Sequence, residues 1–493
     1  MQVLGAALPA ARFPSDWTRR AITFLCCALA TLLIGWGSSQ KVFVRTTLAF
    51  TLVLLLVSVG LKMPRALIIG TLGWLVVLGL VRRLLTPLAD AGASDPLLIV
   101  APVTVLVLVL ISGRHGSLAA PSRLTKAVLL LNVLTVVSVA NPSQGGIMVG
   151  LGGLLFVLVP VIWFWIGRSL LDRRAIRTVL VLVAVLGVLS ALYGMYQTFG
   201  HLPSFDRAWA ESKGPEYQAI LVNGTIRPFG PFTSASDYGL YLSAAGMVLL
   251  GATVRSRLAV LTLAALVLVL VAIVVSGSRG PVVTFLLATG IVLAARWRLG
   301  LSKGVIVGAA LVAVIGILVS RVEPASLSGG GASPFVARQV TGLSNPFDQN
   351  GGSTVGVHLS LVILGIRSMV HFPLGRGVGV TTIAGGKFGG SAFGTETDPS
   401  NAAVALGLPG FLTYLVIVAL AVSLAYRRAH EEGDVVSIAI LGILVITGLQ
   451  WLNGGNYAAA PLVWLVIGWL DRPSARKAPA PGPEGREPAL AAA

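Results

Sequence analysis

The feature that most constrains this 493-residue chain is a succession of long apolar runs almost free of charge. They lie near 21–38, 46–62, 66–81, 97–112, 127–141, 147–166, 178–199, 237–253, 258–276, 281–295, 304–320, 402–425, 435–452 and 458–470. In hydrocarbon every backbone N–H and C=O must be bonded within the protein, which leaves helices or closed barrels. The runs are too long and too unalternated for barrel strands. They predict an all-α fold, a polytopic transmembrane helical bundle of 12–14 spans. A composition that is 55% hydrophobic and 11% charged excludes an ordinary soluble domain.

The formal charge of +18 raises the question of nucleic acid. The Lys and Arg are scattered at span ends rather than gathered on one domain, so membrane topology accounts for the excess and no nucleic-acid partner is expected. With the amino terminus inside, the inner loops carry Lys62 and Arg65; Arg114, Arg123 and Lys126; Arg168, Arg173, Arg174 and Arg177; Arg255 and Arg257; Arg296, Arg298 and Lys303; and Arg427 and Arg428. Lys41, Arg45, Arg82 and Arg83 fall on the outer side and run against the rule. The adjacent Cys26 and Cys27 sit within the first run, poorly placed to bridge each other, and predict no metal or redox role.

This topology divides the chain into an inner segment 1–20, a membrane domain 21–470 and an inner tail 471–493, rich in Pro, Ala and charge, that is predicted to be disordered. The basic flank and apolar run at the amino terminus, without a small-residue cleavage site, predict an uncleaved signal-anchor. Two long segments fall on the outer face, 200–236 and 321–401, with the short Ser276–Gly280 turn between them. The second opens with a Ser/Gly-rich connector, Ser326 to Pro334.

The distinctive residues all lie on that face. Arg227 stands in GTIRPFGPF before a span; its planar fork suits a diphosphate, although an interfacial Arg snorkelling beside a Phe anchor would read the same. Arg279, in the tight SGSRGP turn, could hold an anion together with the helix amino terminus behind it, or simply mark topology. Residues Ser353 to Phe372 predict a re-entrant or interfacial helix stopped by Pro373. His358 and Arg367 fall on nearly opposite faces of it, and Ser360, Arg367 and His371 share one. The following GRGVG (375–379) meets neither the Rossmann nor the Walker spacing, and its glycines are expected to turn the backbone beneath a polar substrate. Glu396 and Asp398 offer a carboxylate beside low dielectric that could act as a general base; helix capping by Asp398 or Ser400 and plain solvation of Glu396 is the other reading.

Taken together these pieces resemble the bacterial O-antigen ligase and polysaccharide polymerase superfamily, integral membrane glycosyltransferases that use undecaprenyl-diphosphate-linked glycans. The matching positions are 227–232 (RPFGPF), 278–280 (SRG), 371–379 (HFPLGRGVG) and 407–410 (GLPG), and the resemblance covers about residues 175–455. Ligase members usually carry His-Asn eleven residues before the Gly-x-x-Gly. Here that position is Glu396, followed by Thr397, which is similar to the exopolysaccharide polymerase-like members; His358 stands where many relatives have Arg or His.

The resemblance implies that a sugar hydroxyl attacks the anomeric carbon of the lipid-linked donor and expels undecaprenyl diphosphate, without cofactor or metal. It implies Arg227 and Arg279 as diphosphate-binding residues, Arg376 as a weaker contact, and Glu396 or His358 as the base. The implied partners are the lipid-linked glycan, a glycan or other hydroxyl acceptor and membrane lipid. The implied place is the bacterial inner membrane, with the active face outward. Ligase-type transfer to a lipid, protein or wall acceptor is one alternative, and a transporter or flippase of precursors is another. Transporters carry ionisable groups mid-span, whereas these spans are nearly charge-free.

Overall fold

The computed structural model describes residues 44–86, 95–113, 121–212, 221–222, 225–253, 259–323, 333–344, 355–452 and 456–472. The helices are α1 (Val44–Lys62), α2 (Pro64–Leu84), α3 (Val100–Gly113), α4 (Arg123–Val137), α5 (Ile147–Leu170), α6 (Arg173–Phe199), α7 (Ser204–Glu211), α8 (Ala235–Thr253) and α9 (Ala259–Val275). They continue as α10 (Arg279–Arg296), α11 (Leu301–Val319), α12 (Ser333–Ser344), α13 (Val355–His371), α14 (Ile383–Lys387), α15 (Asp398–Glu432), α16 (Val435–Thr447) and α17 (Ala459–Leu470). A two-residue antiparallel ribbon, Leu221–Val222 with Thr225–Ile226, lies between α7 and α8.

Among the described residues nine helices are long and apolar enough to cross a membrane, and the fold is that of a multi-pass helical membrane protein. Every apolar run from 46 onward coincides with a helix. The run at 21–38, with Cys26, Cys27 and the segment 1–20, lies outside the described residues. The run 435–452 is helical only to Thr447, because Gly448–Leu452 leave the helix to bond the start of α15. Of the expected Ser/Gly connector only Ser333 and Pro334 are described, and they open α12. The tail's first residue is also fixed: Asp471 is buried and accepts from Ser122 Oγ at 2.5 Å.

The two ends of the bundle differ. At one end the connections are short and capped by carboxylates: Asp172 accepts from Ala175 N (2.7 Å) to start α6, and Asp434 accepts from Ser437 N (3.0 Å) to start α16. Arg65 pairs there with Asp172, and Arg173 with Glu432 and Asp434. Nearly every described arginine of the expected inner loops stands at this end. The opposite end carries the long segments.

The arginines that break the rule stand at the opposite end and are spoken for. Arg45 and Arg82 both bond Asp95, at 2.8 and 2.7 Å, and Arg83 bonds Asp206 at 2.6 Å, with neither partner of the last pair accessible to solvent. A guanidinium neutralised inside the protein is a packing element rather than a free topological charge, which accounts for their position.

The centre is α17, whose every residue is buried. It crosses α5 at glycines: a Cβ at Gly167 would strike the backbone of Leu465, and one at Gly468 the backbone of Phe164. Its Trp464 donates to Trp451 O at 2.8 Å, so the indole reaches the interior with its polar atom satisfied.

Arg83 organises the long-segment end. Besides Asp206 it donates to Gly230 O (2.6 Å) and Phe232 O, and its guanidinium lies over the rings of Phe229 (4.8 Å) and Trp209 (5.4 Å). Asp206 also accepts from Tyr193 Oη (2.6 Å) and Gln197 Nε2 (2.7 Å), and Gln197 Oε1 in turn accepts from Phe229 N and Gly230 N. The segment around 229–232 is therefore strapped to α2 and α6. Removing one member of a buried ion pair leaves the other unneutralised, at a cost of about 3–5 kcal/mol. Arg83→Met is expected to lower the thermal unfolding midpoint of the detergent-solubilised protein sharply, and Arg65→Met, at an exposed pair, to leave it within a degree or so; equal effects would show that the strap carries no special weight.

Candidate functional site

The corner between α9 and α10 is built from Ser276, Gly277 and Ser278, with Gly277 at φ 66°, where a side chain would be strained. Arg279 opens α10 at this corner. Arg227 reaches it from the strapped segment, donating through Nε to Ser276 O at 3.0 Å and through Nη2 to Ser278 Oγ. Helix α12 closes over the same corner. Phe335 packs with Val222 and Val275, and Gln339 Nε2 donates to Val274 O and Ser278 O, both at 3.1 Å. These contacts bring Arg338 in as a third guanidinium and seat Gly342 directly against the side chain of Arg279.

The other wall is α13 with residues 396–397. His358 Nδ1 lies 3.0 Å from Glu396 Oε2, with both side chains open to solvent (53% and 36%). The imidazole's Nε2 makes no hydrogen bond among the described residues. Helix α13 is otherwise half-buried or exposed and is anchored through Gly365, its one buried residue, against Thr395 and Ser400. Glu396 is held by its backbone: its carbonyl accepts from Gln450 Nε2 at 2.9 Å, and Thr397 N donates to Ser400 Oγ at 3.3 Å.

Arg227, Arg279, Arg338, His358 and Glu396 line one cleft of about 580 Å³. Burial, then the neighbouring Arg338 and Arg279, push the Arg227 guanidinium down to about 10, which still leaves it charged at neutral pH. Like charges from three separate segments meet in one cleft, and planar guanidinium forks match the oxygens of phosphoryl groups. Beside them stands a histidine whose ring is oriented by a carboxylate. The cleft thus pairs an anion cradle with a proton acceptor.

The remaining residues singled out by sequence fall elsewhere. Asp398, expected as a cap or a carboxylate for chemistry, is buried and structural: its N–H donates to Leu449 O (2.9 Å), and its Oδ2 accepts from Tyr414 Oη (3.0 Å) and Leu452 N (2.5 Å). The cap of α15 is Thr397. Arg367 is exposed, in keeping with its expected separation from His358.

Arg376 does not line the cleft; its guanidinium lies over the rings of Phe372 (5.1 Å) and Phe393 (5.3 Å). Its neighbours explain why. Helix α15 breaks at Gly407 (φ 65°, ψ −157°) ahead of Pro409, which has no N–H to give. The orphaned backbone groups are met from outside: Arg376 N donates to Val404 O (2.8 Å), Gly377 N donates to Ala405 O (3.0 Å), and the freed Leu408 N donates to Pro373 O (2.9 Å). A Cβ at Gly375 would strike the backbone of Ala405. Gly375, in the run expected to turn beneath a substrate, lets two backbones touch; HFPLGRGVG and GLPG are the halves of one splice.

Arg338 escaped the sequence reading because no element was expected between the connector ending at Pro334 and the helix from Ser353. The available signal was the pattern of Phe335, Gln339 and Leu343 at helical spacing around it. Comparison of the chain with protein-family models finds no matching family, and comparison with curated proteins finds no match.

Gly407→Ala places a side chain at positive φ against Pro373 O, and is expected to cost about 1–3 kcal/mol, read as a lower unfolding midpoint. Gly386→Ala, with open space around it, serves as the control. Arg376→Gln is expected to change the affinity for an inorganic diphosphate probe by less than about twofold, against a tenfold or greater loss for Arg338→Gln; the reverse ranking would put the anion at Arg376.

Proposed function

We propose that this chain is a membrane glycosyltransferase that moves glycan from an undecaprenyl-diphosphate-linked donor onto a sugar hydroxyl, in the manner of an exopolysaccharide or O-antigen polymerase. The observation that carries the reading is the convergence of Arg227, Arg279 and Arg338 with the His358–Glu396 pair in one cleft at the end of the bundle where the long segments gather. Acidic headgroups at that end would be met by arginines, with the donor's hydrocarbon chain in the bilayer below. The positive-inside bias of the other end supports an outward-facing cleft in a bacterial inner membrane.

In this mechanism the acceptor oxygen attacks the anomeric carbon, the bond from that carbon to the diphosphate oxygen breaks, and the diphosphate departs with the bonding pair. The three arginines stabilise the charge that develops on the leaving oxygen. Glu396 accepts the Nδ1–H of His358, fixing the tautomer and stabilising the imidazolium that forms when Nε2 takes the acceptor's proton. His358 is then the base and Glu396 its orienting partner, an order the spacing of the sequence could not supply. A histidine in this role is equally compatible with ligase-type transfer; the difference lies in the acceptor.

Purified protein in vesicles, given a lipid-diphosphate glycan and a glycan acceptor, tests the scheme. Arg279→Ala is expected to lower turnover by about 10²–10³ while the protein still inserts, and full activity in that variant would sink the assignment. If His358 and Glu396 act as a unit, the double variant His358→Ala/Glu396→Gln should be no slower than the worse single one, within a few-fold; additive losses would separate their roles.

A further inference from the structure

Residues 395–398 are a partition with a cavity on each side. Glu396 and Thr397 face the arginine cleft, whereas Thr395 and Asp398 face a second chamber of about 180 Å³. The polar side chains lining this chamber are Thr381, Thr382, Thr395, Asp398, Asn401 and Tyr457. No Lys, Arg or His stands among them. The chamber shares Phe156 and Tyr457 with a groove of about 310 Å³ between α2, α3, α5 and α17, whose walls are almost wholly Leu, Ile, Val, Ala, Pro and aromatic. From Leu155 to Trp163 the groove follows about 12 Å of α5. Ile99 and Leu155, at its side, are 58% and 56% exposed on the surface that faces lipid.

We propose that these two cavities form one binding site for an uncharged glycolipid: a sugar headgroup in the chamber and a single hydrocarbon chain in the groove, entering sideways between Ile99 and Leu155. The choice of occupant follows from the linings. Threonine hydroxyls, an amide and a carboxylate offer acceptors and donors to a polyhydroxylated head, and with no Lys, Arg or His among them they give a phosphate no counter-charge. A channel whose walls are nearly all apolar takes a methylene chain, which asks for no hydrogen bonds. The arginine cleft has the opposite chemistry, so the two sites select different ligands across residues 395–398.

On the transfer reading above, this is where a lipid-borne acceptor without a diphosphate of its own would sit, as in ligase-type transfer to a lipid. The binding itself does not rest on that reading.

The test uses the full chain in phosphatidylcholine nanodiscs and two photoreactive probes with the same dodecyl tail, an alkyl β-glucoside and an alkyl phosphate. The glucoside is expected to label the α5 segment containing Phe156 and the segment containing Tyr457, saturably, and the phosphate at least fivefold less. Leu155→Trp, at a position exposed enough to accept the larger ring, should block the groove and cut labelling at least fivefold. Thr381→Val, which removes a hydroxyl with little change of shape, should weaken the glucoside about tenfold. Arg279→Ala should leave labelling unchanged. Equal labelling by both probes, or labelling indifferent to Leu155→Trp, overturns the proposal. In the transfer assay, Leu155→Trp should raise the KM for a lipid-borne acceptor and leave that for the donor alone. Loss of the transfer reading through an active Arg279→Ala variant would leave the labelling result standing.

Discussion

The arrangement of the long-segment end depends on the guanidinium of Arg83. It is sealed from solvent, neutralised by Asp206, and bonded to the carbonyls of Gly230 and Phe232. A buried charge is tolerated only when its donors are matched, and the matching groups come from α7 and residues 230–232, about 120 to 150 positions along the chain from Arg83. The strap therefore decides where the segment carrying Arg227 can lie. With Arg227 laid on Ser276 and Ser278, the α9–α10 corner is set, and α12 has a surface on which to seat Arg338.

The second support is the broken helix α15. Lipid permits a break only where other protein groups take over the freed backbone, and residues 373–377 do so at 404–408. Upstream of the break, the buried carboxylate of Asp398 ties the helix start to Leu449 and Leu452. Glu396 thus projects from a start fixed on two sides, which is how a residue outside regular structure can meet His358 at 3.0 Å.

The spans were legible because lipid leaves few choices: a run of apolar residues must be a helix, and its arginines collect at one end. Pro373 marked the end of α13 for an equally local reason. Arg227, Arg279, His358 and Glu396 could each be named, since Arg in a Gly-Pro setting and a carboxylate before a span are local oddities. Their meeting could not be read, because it is made by Arg83, Gln339 and Gln450 across great separations. The splice made by Gly375 was hidden for the same reason. A glycine signals room for the backbone, but whether that room is used by a ligand or by a second backbone depends on what docks there, and at Gly375 it is the gap at Gly407.

The partition at 395–398 gives these supports a common consequence. Glu396 lines one cavity and Thr395 the other, so the two side chains do not serve the same one. One side is cationic and holds the His–Glu pair; the other is hydroxylated, weakly acidic and continuous with an apolar groove. Had one open basin served two ligands, an anionic headgroup and a neutral one would compete for the arginines, and the stronger charge would win. On the proposed reading, separating them by residues 395–398 lets each side select its ligand by charge while keeping the two within a side chain's reach of the same backbone. Rigidity at Asp398 and at the splice is then a condition of that selection, since a partition free to shift would let the arginines into both sites.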